Sequence, residues 1–165
     1  MFLVLYVNDI LLIGNDVGKL FEVTVWLVKQ FVMKDLGEAA YILGIQIFRN
    51  RKNRTHSLSQ ASYIDKVMDS FSMQDSKKGQ TPYGHGVSLS KDQSPKTAQE
   101  IEDMRKIPYA YAVGSLIYAM LCTRPDICFA VGVVSRFQSN PEPEHWNAVK
   151  HVLKYLRRTR NVILR

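Results

Sequence analysis

The first fourteen residues constrain the fold most strongly, because two apolar runs there flank a polar dipeptide. Phe2–Tyr6 and Ile10–Ile13 lie on either side of Val7 and Asn8-Asp9. Asn and Asp tolerate the positive φ of tight hairpin turns, so the pattern predicts a β-hairpin with Asn8-Asp9 at its tip. Taken alone, the same residues are also typical of an ordinary turn without any chemistry.

Tyr6-Val7-Asn8-Asp9 between apolar strands resembles the active-site hairpin of reverse transcriptases, where the family pattern is Tyr-x-Asp-Asp. The resemblance implies two Mg²⁺ ions, held by the tip carboxylates and by a third carboxylate from an upstream strand. Asn8 replaces one carboxylate, and we expect the third to be missing because the chain begins at Met1. Asp9 is then a remnant catalytic residue and a weak metal ligand. We expect no productive Mg²⁺ binding and no polymerase activity from this chain alone.

The net charge of +7 is concentrated near the end of the chain. Residues 150–165 carry six Lys and Arg and no acid, whereas residues 1–149 carry sixteen Lys and Arg against fifteen Asp and Glu. Four of these cations recur at helical spacing and form a predicted basic stripe: Lys150, Lys154, Arg157 and Arg158. Such a stripe favours nucleic acid or another polyanion as partner, although a solvated helix face has the same pattern.

The composition restricts the remaining classes. An apolar content of 46% fits a soluble globular protein with a real core. The opening apolar run is too short to span a bilayer and lacks the basic start of a signal peptide. Cys122 and Cys128 provide neither a disulfide framework nor a zinc site. We therefore expect an intracellular protein, in the cytoplasm or nucleus, without a membrane partner.

Hydrophobic periodicity predicts four further elements in the first half of the chain: a helix at 18–31, a strand at 41–47, a returning strand at 56–59 and a helix at 60–73. Asp16 is the expected N-cap of the first helix and Ser59 that of the second. Gly44 lies inside the predicted strand, where it would permit close approach of a backbone or a ligand.

The second half is predicted to be helical after a linker at 74–107. Within the linker, Thr97 and Glu100 have the spacing of a capping box that opens a short helix. Three helices are then predicted, at 109–121, 123–137 and 145–159. Thr123 is expected to cap the second of them, and Asp126 to complete a capping box there with a structural rather than a catalytic role.

Several motifs in order are similar to Ty1/copia-type retrotransposon reverse transcriptases: Lys34–Ala39 with Tyr41–Ile45, Leu58-Ser59-Gln60 with Tyr63, Val113–Tyr118, Cys122–Ile127, and His145-Trp146 with Lys154–Arg157. The resemblance implies that Leu43, Gly44 and Ile45 belong to a hairpin that grips the primer end. It implies equally that Gly114 and Tyr118 lie on a thumb helix along the template–primer minor groove, and that Tyr6 contacts nucleic acid. Close packing between helices, or a buried strand with a bulge, explains the same residues without nucleic acid.

The predicted fold class is therefore α+β, with antiparallel palm-type hairpins and helices followed by a three-helix thumb/connection-like region. The predicted domains are residues 1–73, a linker at 74–107, and residues 108–165. The resemblance implies a truncated piece of a retrotransposon polyprotein related to RNA-directed DNA polymerases. The alternatives are a non-catalytic remnant that binds an RNA/DNA template–primer, and a pseudogene product without function. An open apolar sheet edge also predicts self-association.

Overall fold

The computed structural model describes residues 1–90 and 93–165, which form two compact units, Met1–Ala40 and Tyr41–Arg165. The described residues contain two small antiparallel sheets and six α-helices, in agreement with the predicted α+β class. None of the helices in these described ranges has both the length and the apolar character needed to cross a membrane.

The first unit opens with the predicted hairpin. Strands β1 (Phe2–Tyr6) and β2 (Asp9–Ile13) are antiparallel, and Tyr6 faces Asp9 in the last pair before the loop. The loop therefore consists of Val7 and Asn8, one residue earlier than predicted, and Asp9 begins the second strand. Apart from the Tyr6–Asp9 pair, both registers pair apolar with apolar side chains, so the hydrophobic pattern does not distinguish them.

Helix α1 (Val17–Gln30) follows, and its predicted cap is confirmed. The Asp16 carboxylate accepts a hydrogen bond from the Lys19 backbone N–H at 3.1 Å. Leu27 is buried, whereas Phe21 and Trp26 are 67% and 57% exposed. The helix thus carries large apolar side chains on its solvent-facing side as well as on its inner side.

The second unit begins with a three-stranded antiparallel sheet of strands β3 (Tyr41–Ile42), β4 (Ile45–Asn50) and β5 (Thr55–Ser59) in that order. The predicted continuous strand at 41–47 is wrong, because the chain reverses at Leu43-Gly44. Both residues have positive φ, 53° and 75°, as a two-residue hairpin loop requires. Nothing in the described part of the chain lies within 4 Å of a Cβ built at Gly44, so no backbone approaches it closely there, and approach of a ligand stays a prediction.

Five helices complete this unit: α2 (Ala61–Ser70), α3 (Ala98–Arg105), α4 (Tyr109–Cys122), α5 (Cys128–Val134) and α6 (Pro143–Arg158). The capping box of Thr97 and Glu100 at the start of α3 is confirmed. The helix predicted at 123–137 is found as one continuous helical run from Pro125 to Phe137, in which single 3-10 turns at Pro125–Ile127 and Ser135–Phe137 flank α5.

Helices α2, α4, α5 and α6 enclose one core, with α4 and α6 running opposite to α2 and α5. The C-terminal end of α2 meets the start of α4 and of α6, because the Phe71 ring lies 5.5 Å from Tyr111 and 6.1 Å from Trp146. At the end of α5, the Tyr109 hydroxyl donates to the Val134 carbonyl at 2.7 Å. The core side chains include Ile64, Val113, Leu116, Val131, Val149, Leu153 and Leu156, each at most 1% exposed.

Candidate functional site

The hairpin tip of the first unit places three predicted site residues together in solvent. Tyr6, Asn8 and Asp9 are all exposed at the end of β1, the loop and the start of β2. Between them Val7 is 78% exposed with φ of 50°, a conformation that β-branched residues rarely adopt. Such strain persists where the surroundings impose it, and it is concentrated at functional sites.

The donors at this tip do not fit a site for two Mg²⁺ ions. Asp9 offers one carboxylate, and the neighbouring Asn8 amide is neutral. Mg²⁺ requires octahedral oxygen coordination, and a two-metal centre needs several anionic oxygens within one small volume. Across residues 1–90 and 93–165, no group of three or more His, Cys, Asp or Glu side chains is arranged to hold a metal ion.

A second cluster of predicted site residues forms in the second unit, where the β3–β4 loop meets α4. The Tyr118 hydroxyl donates a hydrogen bond to the Leu43 carbonyl. The Tyr118 ring also packs edge-on against Tyr63, with ring centroids 4.8 Å apart. Tyr63 donates in turn to the Ser115 carbonyl at 3.1 Å. Burial raises the pKa of the Tyr63 hydroxyl, which keeps this donor protonated.

Gly114 extends this cluster along α4. It lies one helical turn before Tyr118 and therefore on the same face of the helix. A Cβ built on Gly114 would meet nothing within 4 Å, and Leu43 and Gly44 are exposed beside Tyr118. We call Leu43, Gly44, Gly114 and Tyr118 the Tyr118 face. The structure thus brings together four residues that the sequence predicted from two separate motifs.

The four cations of the predicted basic stripe on α6 lie in different surroundings. Arg157 and Arg158 line a groove against α2, whereas Lys150 and Lys154 do not. Lys150 and Lys154 are half-buried along the helix, while Arg158 is exposed. The four cations therefore do not form one uniform surface.

The Cys122–Ile127 segment folds differently from its prediction. Thr123 ends α4, and its hydroxyl donates to the Gln60 side-chain oxygen at 2.7 Å instead of capping a helix. Asp126 accepts two hydrogen bonds from the Arg124 guanidinium, at 2.9 and 2.7 Å, instead of forming a capping box. Arg124 is 0% exposed, and an unpaired buried guanidinium costs more than an uncapped 3-10 turn.

The hydrogen-bonded cluster around buried Arg124 extends to the end of α6. Arg124 also donates to the Thr159 carbonyl at 3.1 Å, and the Tyr155 hydroxyl donates to Asp126 at 2.8 Å. Burial alone would raise the pKa of Asp126, but the hydrogen bonds from Arg124 and Tyr155 outweigh it and hold that pKa below its ordinary value. Arg124 is not among the residues predicted from the sequence, although an Arg two residues before an Asp across a Pro turn is a usable signal.

The chain is similar in sequence to a protein family and to transposon polyproteins. A family model described as reverse transcriptase (RNA-dependent DNA polymerase) matches residues 1–85. The chain is 52% identical over 157 residues to the retrovirus-related Pol polyprotein from transposon TNT 1-94 of Nicotiana tabacum, an alignment that covers 95% of the chain and 12% of the polyprotein. It is 35% identical over 161 residues to the Pol polyprotein from transposon RE1 of Arabidopsis thaliana, covering 98% of the chain and 10% of that protein.

A shorter relative is also similar along nearly the whole chain. An uncharacterised mitochondrial protein of Arabidopsis thaliana is 37% identical over 165 residues, covering 96% of the chain and 62% of that protein. The chain therefore spans less than two thirds of the length of each of these three relatives. No solved structure matches it.

Proposed function

The chain belongs to the Ty1/copia-type reverse transcriptases, and we propose that it binds nucleic acid without catalysing nucleotidyl transfer by itself. In this proposal the β1–β2 hairpin corresponds to the active-site part of a palm, and the β3–β4–β5 sheet corresponds to its primer-gripping part. Helices α4 to α6 correspond to a thumb/connection-like region. The boundaries at 73 and 107 stay a prediction.

The proposed lack of catalysis is supported by the chemistry of the hairpin tip. Phosphoryl transfer through two metals needs anionic ligands that hold both ions at the attacking and leaving oxygens. Asp9 provides one such ligand, and the Asn8 amide carries no charge to offset that of a second ion. The chain on its own is therefore expected to leave the developing charge of the transition state without its stabilising ions.

Primer extension on an RNA template tests this part of the proposal. With Mg²⁺ or Mn²⁺ we expect no incorporation by the wild-type chain or by Asp9→Ala. Incorporation by the wild type that disappears in Asp9→Ala would refute the proposal, because it would show that this carboxylate organises a working centre.

The proposed binding rests on one observation, the contact between Tyr118 and the Leu43 carbonyl. It fixes the exposed β3–β4 loop against the face of α4 that carries Gly114. A helix face without a side chain at Gly114 lets a duplex backbone approach closely. An RNA/DNA template–primer is the partner proposed for this face, on the basis of family membership.

Fluorescence anisotropy with an RNA/DNA hybrid tests the binding surface. Gly114→Leu should weaken binding by at least about tenfold, because the new side chain fills the face on which the duplex would lie. Gly132→Leu is the matched control, since Gly132 is also an exposed helical glycine with nothing within 4 Å of its Cβ position.

The salt dependence completes this experiment. A phosphate-contacting surface loses affinity linearly on a log–log plot, with a slope of about −0.9 for each phosphate neutralised on a duplex. Equal affinities for the two leucine variants would contradict the assignment of the Tyr118 face. A flat salt titration would contradict nucleic-acid binding altogether.

A further inference from the structure

A groove of about 530 Å³ lies in the second unit between α2 and the C-terminal end of α6. Its volume falls within the range of about 300–1,000 Å³ that is common for ligand pockets. None of the residues of the Tyr118 face lines it. Most of the residues that line it have polar or charged side chains, and the charged ones are Asp65, Asp69, Lys78, Arg157, Arg158 and Arg160.

The charges of this groove are only partly paired. The Arg160 guanidinium donates two hydrogen bonds to the Asp65 carboxylate. This ion pair connects α2 to the residues that follow α6. Within the described ranges, Lys78, Arg157 and Arg158 form no hydrogen bond or ion pair through their side chains. Three cations thus face the groove against a single further acid, Asp69.

Lys78 is held at the groove by the residue that follows it. The Gly79 N–H donates to the Lys154 carbonyl on α6 at 2.9 Å. A Cβ on Gly79 would lie 2.9 Å from the Tyr155 backbone nitrogen, closer than real Cβ contacts allow. Glycine is therefore required for this docking, and the docking fixes Lys78 beside the last turn of α6.

We propose that this groove is a binding site for a phosphate group of a nucleotide-sized ligand, held by Arg157, Arg158 and Lys78. The planar guanidinium of Arg matches the paired oxygens of phosphate, and the Lys ammonium adds a point charge. Three cations exceed what one carboxylate ligand would neutralise, whereas a phosphate dianion together with Asp69 balances them. The phosphate can come from a free ligand or from a nucleic-acid backbone.

A structural explanation of the two arginines competes with this proposal. Cations in the last turn of a helix interact favourably with its dipole, and that alone would place Arg157 and Arg158 on α6. It does not account for Lys78, which lies on another segment, nor for the glycine docking that brings Lys78 to the same groove. The experiment separates the two explanations by measuring ligand binding directly.

Isothermal titration of the full chain with pyrophosphate is the primary test. We expect saturable binding that falls by at least about tenfold in Arg157→Gln/Arg158→Gln, the scale of one lost charge-assisted hydrogen bond. Lys150→Gln/Lys154→Gln removes the same charge from the same helix outside the groove and should change the affinity by less than about twofold. Equal losses in the two double variants would overturn the proposal, because they would reveal a response to net charge alone.

Two further variants test the site in other ways, one by removing a negative charge and one by shifting the backbone beside Lys78. Asp69→Asn removes the acid that repels the ligand and should strengthen pyrophosphate binding severalfold. Gly79→Ala keeps every charge but displaces Lys78, so it should weaken binding while the far-ultraviolet circular dichroism stays unchanged. Binding that is unaffected by both changes would contradict a site in this groove.

A short single-stranded oligonucleotide identifies the source of the phosphate. If it competes with pyrophosphate, the groove accepts a nucleic-acid backbone; if pyrophosphate binds without competition, the groove accepts a free phosphate ligand, and both results support the site. Binding of neither probe at about millimolar concentration, an affinity of about 4 kcal/mol, would refute it. Gly114→Leu should leave pyrophosphate binding unchanged, so this site and the Tyr118 face fail or succeed separately.

Discussion

Removing the carboxylate that pairs with buried Arg124 should destabilise the second unit more than removing both charges together. In Asp126→Ala the guanidinium loses two charge-assisted hydrogen bonds, of 2.9 and 2.7 Å. Each such bond contributes about 1.5–3 kcal/mol in proteins. The Arg124 side chain is 1% exposed, so water cannot replace the lost oxygens from its side.

Two features reduce the expected cost below the sum of the two bonds. The Asp126 side chain is 36% exposed, which lets water screen the pair and enter the space that the alanine leaves. Arg124 also keeps its hydrogen bonds to Thr159. We therefore expect Asp126→Ala to lower the free energy of unfolding by about 2–3 kcal/mol.

The double variant Arg124→Met/Asp126→Ala should cost about 1 kcal/mol or less, because it leaves no buried charge without a partner. The difference corresponds to a coupling of at least about 1 kcal/mol in a double-mutant cycle. Urea denaturation at pH 7 of the wild type, Asp126→Ala, Arg124→Met and the double variant measures it, provided that the four proteins share one m-value. The reasoning is refuted if Asp126→Ala lies within about 0.5 kcal/mol of the wild type, or if the double variant is the less stable of the two.

Three further predictions concern single contacts. Burial lowers the pKa of His145, although a hydrogen bond with a backbone carbonyl opposes the shift. The unfolded chain therefore binds this proton more readily, and stability should decline as the pH falls below about 6.5, a slope that His145→Gln should reduce. Tyr118→Phe should cost about 0.5–1.5 kcal/mol and accelerate amide exchange in the loop that contains Leu43. Gly44→Ala should destabilise by about 1 kcal/mol because φ is positive there, whereas Gly114→Ala should stabilise by about 0.5–1 kcal/mol in urea denaturation.

Each of these three predictions would be contradicted by one specific result. An unchanged pH slope in His145→Gln would mean that other groups titrate in that window. Unaltered exchange at the β3–β4 loop in Tyr118→Phe would mean that the hydroxyl does not hold the loop. A Gly44→Ala variant as stable as Gly114→Ala would contradict the left-handed conformation at residue 44.

Much of the fold follows from local sequence patterns. The side-chain cap at Asp16 and the capping box of Thr97 and Glu100 form as predicted, because each depends on residues within three positions of one another. The helix predicted at 60–73 forms as α2 and buries Ile64, Val67 and Met68, which recur at helical spacing. Local hydrogen bonding and helical periodicity determine these features, and both can be read without tertiary information.

The errors occur where local patterns permit two answers. The first hairpin has apolar residues on both sides of both strands, so its loop position cannot be assigned from polarity. The Leu43-Gly44 loop lies within a run of strand-forming residues, and only the pairing of β3 with β4 reveals the turn. A Leu with positive φ carries no sequence signal of its own.

At the candidate site, too, the residues followed from sequence motifs, whereas their contacts depend on tertiary packing. Family motifs identified Leu43 and Tyr118 separately, but their direct contact depends on how α4 packs against the sheet. The pairing of Arg124 with Asp126 was missed because the burial of Arg124 depends on the tertiary structure, and a Thr-x-x-Asp spacing equally suits a capping box. Arg157 lines the groove and Lys150 does not, because the groove forms where α2 packs against α6. The periodicity of α6 alone gives no information about the position of α2.

The central claim is that a tip with one carboxylate does not assemble two catalytic metal ions. The most direct measurement is a Mn²⁺ titration, in the presence of a nucleotide, that follows paramagnetic broadening of the Asn8 and Asp9 amide signals. We expect the wild-type chain to show only weak broadening that does not saturate, and Asn8→Asp to show stronger broadening because two adjacent carboxylates are then available. Saturable binding of two Mn²⁺ ions by the wild type, abolished in Asp9→Ala, would contradict the claim.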